Sequence, residues 1–455
     1  MSEPAGQGAA GAGPAISVII PTYNWSAALR HAIRSILLQT RQDFEVLVVG
    51  DGCTDDSEAV VASFGDARLQ WYNLPSNHGS QWAANNFALE RARADWVAYL
   101  GHDDIWYPTH LESILRTAAA EAADVVTSAV ILYGPPASGI RFVSGIFPSG
   151  AFGVRDFVPP SAVAHARALY PETIVWRDPA GLVLPMDAVF LTEFAVARRT
   201  FAATCEVTAF KFNAAWRRDA YRRRDVAEQA RALARIEAGE DFRQAELLGV
   251  LQSIASGVGG IVGGTWPGGV AEGEIVRRNR RFKGLEARFE ADRLVSIDAP
   301  IRFDLAGQDM PFEWYDLEKT ASGTTFRWSG PSRRPTIDLP VRFDRDLVVR
   351  IGIHHIFGPD RLEDVRLFIQ DAELPCRIET GEEGVMLVGE LRRASLPQAP
   401  DGLGITIDTG RVRRPLDTGL NGDPRWLGVA VSWVELSPVD KADAAPLERD
   451  EQPIS

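Results

Sequence analysis

The sequence predicts two folded domains of different class: an α/β domain built on a mostly parallel sheet, then an all-β domain of jelly-roll-like sandwich type. Three observations lead there. A chain of 455 residues is too long for one hydrophobic core. Residues 16–133 alternate short apolar runs with segments of helical spacing. Beyond about residue 290 the helical spacing gives way to short apolar–polar alternation cut by Gly, Pro and Asp turns.

The elements follow in order. Ile16–Ile20 reads as a strand ending at Pro21, and Leu29, Ile33 and Ile36 recur at helical spacing after it, with Asn24 or Ser26 as the cap. Phe44–Val49, Leu69–Asn73, Trp96–Leu100 and Asp124–Tyr133 read as strands, and Ser57–Phe64, Ser80–Arg91 and Pro108–Glu121 as helices. Strands this apolar, separated by helices, pair mostly in parallel and are covered on both faces. The arginines Arg217, Arg218, Arg222, Arg223 and Arg224 are expected on the solvated face of one helix running to about Leu248. Residues 323–329, 336–343, 347–357, 365–370, 385–390, 405–408 and 427–436 are the strands of the sandwich. Its tryptophans, Trp314, Trp328, Trp426 and Trp433, suit a core or a sugar face, and His354 and His355, adjacent in a strand, are expected on opposite faces. The expected organisation is a flexible tail over 1–14, the α/β domain over 15–225, a helical and Gly-rich linker over 226–285, the sandwich over 286–440 and a tail over 441–455.

With 45% hydrophobic and 24% charged residues the chain reads as soluble and globular. A net charge of −13 argues against general nucleic-acid binding. Three scattered cysteines fit a reducing cytoplasm rather than a disulfide framework, and the Gly/Ala-rich start reads as a tail without a signal peptide. Leu247–Ala271 carries no charge, but its glycines and polar residues make it a poor membrane span. Peripheral contact at the inner face of a membrane is the alternative for it.

The polar motifs fall at strand ends, where open α/β sheets bind ligands. Pro21-Thr22-Tyr23-Asn24 follows the first strand, Asp51-Gly52-Cys53-Thr54-Asp55-Asp56-Ser57 the second, and Gly101-His102-Asp103-Asp104 the fourth. A carboxylate pair at the edge of a buried strand is costly unless a cation or substrate uses it. Each motif alone has an ordinary structural use: Asp51-Gly52 as a turn, Asp55–Ser57 and Asp103-Asp104 as helix caps. In this order, at one sheet edge, they point to one crevice.

The ordered set resembles glycosyltransferase family 2, with its GT-A fold, a Rossmann-like nucleotide-diphospho-sugar transferase domain. The family's Pro-x-Tyr-Asn, Asp-Gly-Ser-x-Asp, Asn-x-Gly…Ala-Arg-Asn and Asp-x-Asp-Asp are matched in turn up to about residue 110. The resemblance implies that Asp51 accepts the ring N–H of the donor base and that Pro21, Thr22, Tyr23, Asn24 and Gly52 line the nucleoside. Asn77 and Gly79 border the donor site. Asp103 binds Mn²⁺ or Mg²⁺ bridging the diphosphate, with Asp104 beside it on the donor. Asp187, opening an apolar helix, resembles the family's catalytic base, with Glu193 and Glu172 as second choices and a helix cap as its structural alternative.

Lys211, in a Phe-flanked segment, is placed to neutralise the diphosphate. Glu172, Thr173, Trp176 and Arg177 could bring polar and aromatic groups to an acceptor. Two departures stand out: Gly101 replaces the first Asp of Asp-x-Asp, and Ala84 the usual Arg before Asn85. The metal then rests more heavily on Asp103. The expected function is an inverting glycosyltransferase that moves a sugar from a nucleoside-diphosphate sugar to a glycan, lipid-linked or protein acceptor, in bacterial surface polysaccharide or glycoconjugate synthesis. A catalytically silent nucleotide-sugar or carbohydrate-binding module is the alternative.

Overall fold

Two seven-residue strands with every residue buried, β1 (Ile16–Thr22) and β2 (Phe44–Gly50), lie in parallel at the centre of the first half of the chain. Their Ile and Val side chains suit a sheet packed on both faces. The intervening helix α1 (Ser26–Leu37) buries Ala28, Leu29, Ala32, Ile33 and Ile36 as one stripe. Helix α2 (Ser57–Ala62) leads to β3 (Leu69–Asn73), and α3 (Trp82–Leu89) to β4 (Trp96–Tyr99). These strands form a parallel run β3-β2-β1-β4, so the chain leaves β1, β2 and β4 at the same edge.

The sheet then changes character. After β5 (Ile105–Trp106) come α4 (His110–Glu121), β6 (Val125–Tyr133), β7 (Arg141–Ser144), β8 (Val163–Ala166), α5 (Met186–Val196) and β9 (Phe201–Lys211). The full order is β3-β2-β1-β4-β8-β6-β9-β5, with β7 on β6. Strand β8 runs antiparallel between β4 and β6, and β5 pairs antiparallel to β9. That last pairing, Ile105 opposite Phe210 and Trp106 opposite Ala209, carries the loop after β4 across to the end of β9.

The structure, a computed structural model, describes residues 13–136, 138–147, 152–153, 156–255, 259–261, 271–305, 313–395, 402–423 and 425–439. Nearly all of the expected tails, parts of the 148–160 loop and most of the Gly-rich stretch before Ala271 lie outside them. The chain divides into two compact units between Glu286 and Ala287.

The arginine-rich helix expected to reach Leu248 is three helices: α6 (Ala220–Arg223), α7 (Ala227–Glu237) and α8 (Phe242–Ala255). Left-handed backbone at Arg224 and Gly239 ends the first two. Residues 226–285, expected as a linker, lie within the first unit: Ala232, Ile236, Phe242 and Val250 share a core with Ile131, Phe210 and Phe212. A further helix, α9 (Glu274–Phe282), follows. No helix among the described residues is long and apolar enough to cross a membrane.

The named strands of the second unit all pair antiparallel. Its strands are β10 (Ile301–Asp304), β11 (Glu318–Lys319), β12 (Thr325–Trp328), β13 (Thr336–Leu339), β14 (Leu347–Ile356), β15 (Arg366–Ile369), β16 (Ala372–Leu374), β17 (Cys376–Gly381), β18 (Gly384–Leu391), β19 (Leu403–Asp408) and β20 (Val429–Pro438). One sheet runs β11-β12-β20-β14-β18-β17 with β10 also on β20, the other β13-β19-β15-β16. Val349, Ile351, Leu387 and Val434 of the first share a core with Ile337, Leu367 and Ile405 of the second, which makes a β-sandwich.

Trp314 and Trp328 are buried, and Trp433 lies half-buried under the Arg302 guanidinium, 4.1 Å from its ring centre. His354 and His355 do not take opposite faces. A register shift between Ile353 and His355 lets His354 stack on Phe326 at 4.3 Å and His355 meet the edge of Trp328 at 5.7 Å.

Candidate active site

Two loops at the common strand edge brace each other. Asn24 adopts left-handed backbone, φ 43°, and its Oδ1 accepts from the Thr54 N–H at 2.7 Å and the Asp55 N–H at 3.2 Å. Asp55 in turn accepts from the Ser26 N–H at 3.0 Å and the Ser57 N–H at 3.2 Å, holding the starts of α1 and α2 together. Both side chains expected near the donor or at a cap therefore shape the loops.

Asp51 is buried, and its carboxylate accepts from the His78 N–H at 2.9 and 3.0 Å and lies 2.8 Å from the His78 ring Nδ1. The Asn77 amide donates to the Asp51 carbonyl at 3.1 Å. Gly52 lets these segments meet: at φ 71°, a Cβ there would lie 2.6 Å from the Asn77 nitrogen. Asn77 also accepts from the Gly79 N–H at 2.9 Å, and the Arg280 guanidinium donates to the Gly79 carbonyl. His78 and Arg280 were not singled out in the sequence, since neither belongs to the spacing of the motifs.

The 101–104 loop divides its two acids. Asp104 is wholly buried and turned into the protein, where its carboxylate accepts from the Phe212 N–H at 3.1 Å, the Lys211 ammonium at 3.0 Å and the Ser161 hydroxyl. Ser161 also accepts from the Gly101 N–H at 3.0 Å. This clamp is the result of the β5–β9 pairing, and it takes Asp104 away from the donor contact expected of it. Asp103 is 8% exposed, and its carboxylate takes no hydrogen bond from the described residues. A Cβ at Gly101 would stand 2.8 Å from Asp104 Oδ2 and 3.1 Å from Asp103 Oδ1. A larger residue there would displace the clamp.

His102 packs rather than ligates: its Nδ1 lies 3.2 Å from the Pro21 carbonyl and its Nε2 3.4 Å from the Tyr221 hydroxyl. The Thr22 hydroxyl is buried without a partner among the described residues, and Tyr23 faces Tyr221, ring centres 6.5 Å apart.

Asp187 lies in the first turn of α5 and accepts from the Ala188 N–H at 3.1 Å. Burial pushes its carboxyl above the ordinary range, against the pull of Lys211 and Lys283. Burial also opposes charge on Lys211, but Asp104, Asp103 and Asp187 together hold that ammonium above the ordinary lysine value. Lys283, just past α9, is pushed down by burial and by the charges of Lys211 and Arg280, and pulled up by Asp103 and Asp187. One electrostatic neighbourhood thus holds Asp103, Asp104, Asp187, Lys211 and Lys283.

The expected acceptor residues are spread over different surroundings. Trp176 is 1% exposed and stacks on Phe190 at 3.9 Å, so its indole is core and not a sugar platform. Asn86 fixes its backbone with bonds of 2.8 and 3.0 Å. Arg177 pairs with Glu193, which also accepts from the Val175 N–H at 3.2 Å, tying up the second-choice base. Glu172 is exposed, and the Thr173 hydroxyl accepts from Arg199 at 3.0 Å.

No three His, Cys, Asp or Glu side chains converge as ion ligands among the described residues. A divalent cation fits this site through the unbonded carboxylate of Asp103 alone, with phosphate oxygens and water completing its shell.

Residues 17–166 match the family model described as Glycosyl transferase family 2. An uncharacterised glycosyltransferase of Rickettsia typhi is 36% identical over 99 residues, covering 22% of this chain and 30% of the relative. One from Nostoc sp. is 36% identical over 113 residues, covering 24% and 34%. The matched segment thus spans about a third of these curated relatives. Staphylococcus aureus TarS, residues 1–349 in complex with UDP-GlcNAc, aligns at 20% identity and a TM-score of 0.37, covering 44% of this chain and 58% of that one. The family match thus falls on residues 17–166 of the mixed nine-stranded sheet, and strand-rich antiparallel sheets follow it.

Proposed function

We propose that the family 2 domain of this chain is an inverting glycosyltransferase, moving a sugar from a nucleoside-diphosphate donor to a hydroxyl of a glycan, lipid-linked or protein acceptor in bacterial surface-polysaccharide or glycoconjugate synthesis. In this reading Asp51 and the 21–24 and 77–79 loops take the nucleoside, and Lys211 faces the diphosphate. Asp187 accepts the acceptor hydroxyl's proton as that oxygen bonds to the anomeric carbon and the bond to the diphosphate breaks, its electron pair leaving with the diphosphate. A cation held by Asp103, when bound, supplies charge stabilisation to that leaving group. Cytoplasmic placement with peripheral membrane contact belongs to the same reading.

One observation carries it. The two acids have different surroundings: Asp103 is unbonded and beside two lysines, and burial pushes the Asp187 carboxyl up. That division suits a leaving-group site and a base. The test is hydrolysis of UDP-, GDP- and dTDP-sugars by the purified chain with Mn²⁺, beside Asp103→Ala and Asp187→Asn. Loss of turnover in both variants supports the reading. An unchanged rate in both sinks the site, and tight donor binding without turnover on any acceptor favours the silent binding module.

A further inference from the structure

Lys283 is held from both sides of its backbone: its N–H donates to the Asn279 carbonyl at 3.0 Å and its carbonyl accepts from the Tyr221 N–H at 3.0 Å. The preceding helix is tied to both borders of the crevice, with the Gly273 N–H on the Leu182 carbonyl at 2.8 Å and Arg280 on the Gly79 carbonyl. The Lys283 side chain is half-buried, and its ammonium forms no hydrogen bond or ion pair with the described residues. An ammonium has three donors, and no described residue takes any of those on Lys283. Two cations, Lys211, which is bonded to Asp104, and Lys283, which is not, approach Asp103 and Asp187 from different elements and repel one another. An added anion with several oxygens relieves the repulsion and supplies acceptors to Lys283. At Gly101, where a second carboxylate would help hold a cation, there is no room for a side chain.

We propose that Lys283 is a diphosphate-binding residue: with Lys211 it neutralises enough of the leaving group that the nucleoside diphosphate binds with divalent cations removed. This rests on the donor-site reading above. The experiment is calorimetric titration of UDP, GDP and dTDP, and of the matching nucleosides, into the full chain in excess EDTA, with Lys283→Met beside wild type. Wild type is expected to bind at least one of the diphosphates. Lys283→Met should weaken that diphosphate about tenfold, leaving nucleoside affinity and thermal midpoint unchanged, and Lys283→Arg should restore binding. Equal diphosphate affinity in Lys283→Met, or equal loss for nucleoside and diphosphate, overturns the role of Lys283 and leaves the donor site standing. Binding by wild type only when Mn²⁺ is present also overturns the proposal, and no binding under either condition sinks the donor-site reading with it.

Discussion

Asp103 and Asp104 share a strand end but do different work. Removing the Asp104 carboxylate leaves Lys211 and the Phe212 N–H buried without their acceptor. Breaking a buried ion pair by removing one partner costs about 3–5 kcal/mol. Asp104→Ala should therefore lower stability in urea by that amount, while Asp103→Ala, whose carboxylate bonds to nothing described, should keep the parent's midpoint. Equal losses would contradict the clamp.

Asp187 supplies a pH signature. A base acts when deprotonated, and burial raises this carboxyl above the ordinary 3.8. Donor turnover should climb with pH through a limb above that value. Asp187→Asn should remove the limb and about 10²–10⁴-fold of the rate. A limb that persists in the variant would assign the base elsewhere. The sequence exposed Asp187 because it opens an apolar helix. It could not separate Asp103 from Asp104, because that depends on a hydroxyl from Ser161 and a lysine from Lys211, both distant in the chain.

At the scale of elements, the motif loops were legible because each lies at the end of an apolar strand, and β1, β2 and β4 do converge at one edge. What the sequence hid was the two-residue strand β5, too short to show periodicity, whose pairing with β9 builds the clamp. It also hid the approach of α9, whose Arg280 donates to the Gly79 carbonyl. The break of one expected helix into three turned on left-handed backbone at Gly239, a usual helix terminator, and at Arg224, which no residue-type rule predicts. Trp176 was misplaced because a polar, aromatic stretch reads the same whether its indole faces a sugar or Phe190.

The 51–57 loop gives this scale its prediction. Gly52→Ala forces a side chain into left-handed backbone against the Asn77 nitrogen. It should cost about 1–3 kcal/mol and weaken nucleoside binding, measured by urea denaturation and calorimetry. A silent substitution would mean that the loops do not depend on each other.

For the whole molecule, two buried histidines set a pH dependence. His110 is stacked on Trp106 and lies 2.8 Å from the Thr208 hydroxyl, and burial lowers its pKa from 6.5 to about 3. His165 lies 2.8 Å from the Tyr99 hydroxyl and is lowered by burial to about 4. Below 6.5 the unfolded chain takes up protons that the folded chain refuses, so stability falls as pH falls. Each histidine adds about 1.4 kcal/mol per pH unit, down to about pH 4 for His165 and about pH 3 for His110. Urea midpoints should therefore drop between pH 6 and 5, and a flat profile would contradict neutral burial of both rings. The division of the chain into an α/β unit and a β-sandwich was legible from the change of period near residue 290, since each unit has a core of its own.

The central claim is that Asp103, Asp187 and the two lysines enclose the donor's diphosphate. It is tested most directly by an anomalous difference map from crystals soaked with Mn²⁺ and UDP, GDP or dTDP in turn. The account predicts a manganese peak on the Asp103 carboxylate, with phosphate oxygens reaching Lys211 and Lys283 and Asp187 left free opposite them. Manganese on Asp104, or a nucleotide bound away from Asp51, would contradict it.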